Sequence, residues 1–161
     1  MRKGKNKIMP GPIATIGSMH VCPMCSGTVP HVGGPVSGPG TPNILINNKP
    51  ASVMGDMCVC VGPPDSVVQG EASIFFNGTP VVCIGHMTAH GGVITVGEVN
   101  VIASTSAPSP SVTMPLSQIP FPKITIINKI LGNTREAREN QEKVKEEAKK
   151  HGYLSDFNLS I

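Results

Sequence analysis

The chain has 161 residues, room for one domain and an appendage. Its formal net charge of +3 adds a basic start (Arg2, Lys3, Lys5, Lys7) to a mixed tail, because Lys49 is the only Lys or Arg between Ile8 and Ala103. Without clustered cations, and with one Tyr, no Trp and four Phe, the chain is poorly equipped to bind nucleic acid. No run of roughly 18 apolar residues offers a membrane span. Pro10, Gly11 and Pro12 interrupt the place where a secretory signal needs its apolar segment. The expectation is synthesis in a reducing compartment, where clustered Cys and His favour metal over disulfides.

Residues 1–11 read as a mobile basic arm. Residues 12–103 carry a pattern written three times. Pro12, Pro50 and Pro80 are each followed by a glycine five residues on (Gly17, Gly55, Gly85). Met19, Met57 and Met87 come two after the glycine, and Cys22, Cys60 and His90 five after it. Such self-similarity makes each copy one supersecondary unit. A second landmark agrees: Gly40, Gly70 and Gly97 precede strands beginning at Ile44, Ile74 and Val101. Asn47-Asn48 and Asn77-Gly78 sit between β-rich runs and predict tight hairpins, since Asn and Gly tolerate positive φ. The expected fold is mostly β, a small conical, pseudo-threefold array of hairpins whose ligand loops converge on the axis.

The first two loops are separated by eight more residues than the last two, and the extra stretch contains His31. Cys22, His31, Cys60 and His90 then form a two-Cys, two-His set suited to tetrahedral zinc. The competing set is Cys22, Cys25, Cys58 and Cys60, which uses the C-x-x-C of residues 22–25. Cys83 reads as a small core residue. His86, which stands where the second repeat has Asp56, reads as a loop residue bonding nearby backbone. His20, Cys58 and Thr88, two residues before the ligand positions, are expected to point away from the axis.

Residues 104–123, with five prolines, read as an extended linker. The run 124–131 fits a strand or a helix entry. A helix is predicted over about 134–151, capped by Asn133 or Thr134 and stopped by Gly152. Its apolar positions, Ala137, Val144 and Ala148, form a face too thin for a core, so a solvated helix is expected. A partner-docking helix with Tyr153, Leu154, Phe157, Leu159 and Ile161 as anchors is the alternative.

The runs PNILINNKPASVMGDMCVC and GPPDSVVQGEASIFFNGTPVVCIGHMTAHGGVITVGEVNVI closely resemble the PAAR-repeat proteins, the tips of type VI secretion spikes and related contractile injection systems. NNKPASVMGD resembles the repeat that names the family, and NGTPVVCIGH is a degraded second copy. Val53 stands where the family has Arg, and His86 replaces the second Asp. The resemblance covers about residues 10–103. It implies a β-rich cone with structural zinc near its apex and a flat base docked on a trimeric, VgrG-like spike. A structural protein rather than an enzyme is expected, delivered with the apparatus and piercing a target membrane rather than binding it stably. A cargo carrier using residues 104–161, or a zinc hydrolase, are the alternatives. The four acids of the domain, Asp56, Asp65, Glu71 and Glu98, fall in no recognisable hydrolase motif.

Overall fold

A computed structural model describes residues 11–103, 111–132 and 134–151. The basic residues Arg2 to Lys7, Asn133, Gly152 and the proposed anchors Tyr153 to Ile161 lie outside the described residues.

Three hairpins organise the chain. Strand Thr41–Ile46 turns through Asn47 and Asn48 into Lys49–Ala51. Strand Phe75–Phe76 turns through Asn77 and Gly78 into Thr79–Pro80. All four turn residues have φ between 51° and 79°, the left-handed backbone that Asn and Gly accept. The third hairpin has no turn within the described domain. Glu98–Ala103, at the end of the repeats, pairs antiparallel with Gly11–Ile13 at their beginning. The strand that precedes Pro50 and Pro80 in the other two units is supplied for Pro12 by the other end of the domain. Register confirms the equivalence: Leu45 faces Pro50, Phe75 faces Pro80 and Ile102 faces Pro12.

Backbone hydrogen bonds close the three units into a ring. Ala14 N–H donates to Val82 O (2.8 Å), Val82 N–H to Ser52 O (3.1 Å) and Ser52 N–H to Ala14 O (2.9 Å). A second ring follows two residues on: Ile16 to Pro50, Met54 to Pro80 and Ile84 to Pro12, at 2.9–3.1 Å. The chain has strands too short to stand alone, and these cyclic bonds satisfy backbone that would otherwise be buried unpaired. At the glycine after each ring the turn is capped by a different side chain. Thr15 N–H donates to Ser18 Oγ (3.0 Å), Val53 N–H to Asp56 Oδ2 (2.9 Å) and Cys83 N–H to His86 Nδ1 (3.0 Å). His86 is therefore a turn cap, as its position opposite Asp56 suggested.

Packing follows the same order along the axis. Ile13, Ile46, Ala51, Val81, Cys83 and Ala103 form the cluster under the hairpins, so Cys83 is a core residue. Ala14, Val36, Cys58, Val67, Val82 and Ile94 form the next. Outside the hairpins, Asn43 and Asn77 exchange side-chain amide bonds, as do Asn47 and Asn100 (2.7–3.2 Å). Glu98 gathers Lys49 Nζ (2.7 Å), Asn47 Nδ2 (2.7 Å) and Thr15 Oγ1 (2.9 Å), tying the first hairpin to the third. That arrangement gives the lone Lys49 a structural employment.

Residues beyond 103 return to the domain. Ser111–Thr113, inside the stretch expected to be extended linker, is a strand on Gln69–Glu71, and Met114 N–H donates to Val68 O (2.8 Å). Val112 and Thr113 favour β structure, and an unpaired edge strand offers them partners. A 3-10 turn, Leu116–Gln118, and a short helix, α1 (Ile126–Leu131), lead to α2 (Arg135–His151). The expectation of a solvated α2 does not hold. Ala137, Val144 and Ala148 are buried, Val144 and Ala148 against Val68, Ala89 and Ile119. The face is thin because its residues are small. At Gly91, a β-carbon would stand 2.6 Å from Ala137 O, so the helix comes down onto bare backbone. Asn140 Nδ2 donates to Gly91 O there (2.7 Å).

Candidate metal centre

Each loop delivers one side chain to the end of the axis away from the hairpins. Cys22 follows strand His20–Val21, which pairs with Val93–Ile94. Cys60 ends strand Met57–Cys60, opposite Gly33. His31 follows a two-rung hairpin, Cys25–Ser26 on Val29–Pro30, and its N–H donates to Met24 O (2.8 Å). His90 sits in a turn whose next residues are Gly91 and Gly92. A β-carbon at Gly92 would strike Val21 O, so only glycine lets this turn close on the first loop.

The structure brings Cys22, His31, Cys60 and His90 together, one ligand atom of each lying within 4.8 Å of all the others. Cys22 Sγ stands 3.7 Å from His31 Nδ1 and 3.6 Å from His90 Nδ1, and Cys60 Sγ is 3.5 Å from His31 Nδ1. With Zn–S near 2.3 Å and Zn–N near 2.05 Å, the edge of a zinc tetrahedron is about 3.6 Å, so the spacing fits that ion. His31 Nε2 is 2.7 Å from Ser26 Oγ, which orients the ring with Nδ1 facing the sulfurs. The competing set is not assembled: among the described residues, Cys25 and Cys58 belong to no metal-sized group. The five cysteines form no disulfide.

The protonation chemistry suits a site completed by a cation. Burial lowers the pKa of His31 and of His90, so both imidazoles are neutral and carry a lone pair for metal. Burial raises the Cys22 and Cys60 thiols. A bound dication would release their protons, so loading is coupled to proton release.

A second layer lies below the ligands, and it corrects one expectation. His20, Cys58 and Thr88 point inward and are buried, not turned away from the axis. Asp65, which the sequence did not single out as part of the site, is fully buried among them. Burial alone would raise its pKa. His20, His90 and Thr88 outweigh that effect and hold it below the ordinary carboxylate value. The only sequence signal for its role was its position as one of four acids in the domain.

The His86 cap makes the fold sensitive to acid. Burial pushes its pKa down to about 4, so the fold requires the neutral ring. Its contribution is complete above the unfolded value of about 6.5 and lost as pH falls toward 4, up to about 3 kcal/mol. His86→Ser installs the cap of the first repeat. Thermal midpoints measured between pH 7 and 4.5 should fall less steeply in that variant, whereas parallel curves would show that His86 is not the group that titrates.

Comparison with known proteins adds one match. Residues 26–96 match the PAAR motif family. No curated protein matches the chain. The matched segment contains the Thr41–Ala51 and Phe75–Pro80 hairpins, the Gly55 and Gly85 turns that follow them, and three of the four clustered side chains. Together with the threefold hydrogen-bonded ring and the converging loops, this match identifies residues 26–96 as a PAAR-motif segment.

Proposed function

We propose that this chain is the tip of a contractile injection spike, one copy capping a trimeric, VgrG-like spike protein, with zinc cross-linking its apex. The observation that carries the reading is the pseudo-threefold base. Leu45, Phe75 and Ile102 occupy equivalent positions opposite the three prolines and are 57%, 45% and 56% exposed. Three equivalent apolar side chains on one monomer match three equivalent strand ends of a trimer, which are otherwise sticky edges.

Cys22, His31, Cys60 and His90 would hold the zinc. Four protein ligands leave no position for a substrate water, which supports a structural rather than a hydrolytic role. The acids of the domain are employed elsewhere: Asp56 caps a turn, Glu98 bridges hairpins and Asp65 is buried beneath the ligands. Among the described residues, no helix is long and apolar enough to cross a membrane. A tip carried by the apparatus from the cytoplasm into a target envelope needs none.

A second role, as an adaptor for an effector or a neighbouring protein, has one observation in its favour. Ile126, Ile127 and Ile130 lie on one face of α1 and are all exposed. One pull-down on a trimeric spike protein tests both roles. Wild type should bind at one chain per trimer. Leu45→Asp, Phe75→Asp and Ile102→Asp should each weaken binding about tenfold or more, as burying an unpaired charge at an interface does. Ile126→Ser with Ile130→Ser should leave capping intact. Three chains per trimer, or indifference to all three base variants, would sink the capping model.

A further inference from the structure

The layer beneath the metal ligands has no part in holding the ion directly, yet it contains polar atoms that the fold leaves unpaired. Asp65 enters from strand Asp65–Ser66, which pairs with Met57–Cys60, and its side chain is fully buried. Oδ1 is satisfied: it accepts the N–H of Ser66 (2.8 Å) and the N–H of His90 (3.0 Å). Oδ2 is not. It stands 3.5 Å from His20 Nε2 and 3.8 Å from His90 Nδ1, without hydrogen-bonding geometry to any group. His20 Nε2 likewise makes no hydrogen bond and meets Asp65 only as a 3.5 Å ion pair, although His20 Nδ1 is 2.8 Å from Gly34 O and the ring is thereby fixed. Native cores seldom leave two buried polar atoms facing each other unsatisfied, and such pairs call for an explanation.

The position of the orphan oxygen supplies one. His90 Nδ1 is the atom that lies 3.6 Å from Cys22 Sγ, so it is the nitrogen turned toward the metal cluster. Asp65 holds the same residue twice, by its backbone N–H through Oδ1 and beside its ligand nitrogen through Oδ2. A carboxylate this close enriches the negative field around a dication, and Asp65 orients His90 through its main chain, because Oδ2 stands beside the ligand nitrogen and not beside the other ring N–H.

We propose that Asp65 is the positioning residue of the metal centre, with His20 as its brace. It locks the His90 turn by a main-chain bond and places a carboxylate oxygen beside the ligand atom, so that the third loop is set before metal arrives. The repeat logic agrees. Cys60 ends a strand and Cys22 directly follows one, but His90 sits in a turn and needs another anchor. The inference rests on Cys22, His31, Cys60 and His90 being metal ligands.

The test is zinc affinity measured by chelator competition on the full chain, with the visible spectrum of the cobalt-loaded protein as a second readout. Asp65→Asn retains an acceptor for the two backbone N–H groups but sets an amide N–H beside His90 Nδ1, where it competes with metal for the lone pair. Affinity should fall about 10–100-fold, and the cobalt bands should shift. Glu98→Gln, in the hairpins far from the site, should move neither. If Asp65→Asn loses its β circular dichroism, His20→Asn carries the same expectation, because it keeps a donor for Gly34 O and removes the group facing Oδ2. Unchanged affinity and spectrum, or a loss matched by Glu98→Gln, would overturn the proposal. Wild type that takes up no zinc would overturn the metal reading itself, an outcome distinct from an Asp65 that proves indifferent.

Discussion

Chelating the metal from the purified protein is expected to lower its thermal midpoint by about 20 °C or more, the largest single effect anticipated for this chain. The four ligand loops share little apolar packing: among the described residues, the cluster around Cys22 and Cys60 adds Met24, Ala137 and the partly buried Ile124. Structural zinc in small domains contributes on the order of 10 kcal/mol, and each kcal/mol shifts a small domain by roughly 4–8 °C. Part of that contribution is offset here, because the hairpin cores below contain none of the four ligand side chains and should stay packed without metal. Elemental mass spectrometry should find about one zinc per chain. Content should drop in Cys60→Ala and His90→Ala and be retained in Cys25→Ala, since Cys25 lies outside the cluster. Affinity should also weaken as pH falls, because acid favours the thiols that binding must deprotonate. Zinc lost only with the cysteines would restore the all-cysteine set. A metal-free protein with an unchanged midpoint would show that packing alone closes the apex.

Val144→Asp is expected to cost about 4 kcal/mol and to undock α2 without unfolding the hairpins. Val144 is fully buried against the side of the third repeat, with Val68, Ala89 and Ile119 around it. A carboxylate there has no partner, and unpaired buried charge is among the few single changes that cost so much. The exposed face of α2 cannot compensate. Its Arg135–Glu139, Lys145–Glu142 and Lys149–Glu146 pairs are solvated and contribute little. Because Ala137 and Met24 pack beside Cys22 and Cys60, loss of α2 should also speed zinc release. Hydrogen exchange should then rise across residues 135–151 while residues 50–54 and 80–84 stay protected. Unchanged protection in α2 would mean that Ser111–Thr113 and the 3-10 turn hold the extension by themselves.

The repeat made the hairpins and the cluster of Cys22, His31, Cys60 and His90 legible before any coordinates. Pro, Gly, Met and a soft ligand recur at fixed offsets, and a fixed offset within a repeated unit maps onto a fixed place around an axis. That rule carried Cys22, Cys60 and His90 to one point. Length alone brought in His31, since the extra residues between the first two loops had to go somewhere. The tight turns were equally readable, because Asn and Gly are the residues that accept positive φ.

Other features depended on what stands opposite. The third hairpin joins Gly11–Ile13 to Glu98–Ala103, and no local signal links strands so distant. His20, Cys58 and Thr88 were misjudged because side chains two apart on a strand share a face, so these residues share the buried inner face with Cys22, Cys60 and His90. Asp65 shares no offset with the repeat and becomes important only through its bonds to the His90 turn. Nor does the composition of α2 reveal its fate. Three small apolar residues are too few for an ordinary core, and they suffice only because Gly91 lets the helix reach bare backbone. The sequence by itself thus determined the repeated unit, its turns and the four residues at the apex, all of which follow from local chemistry at constant spacing. Only the tertiary structure decided how the ring closes, what lies beneath the ligands and where the extension docks, because those are set by surfaces that meet across long stretches of chain.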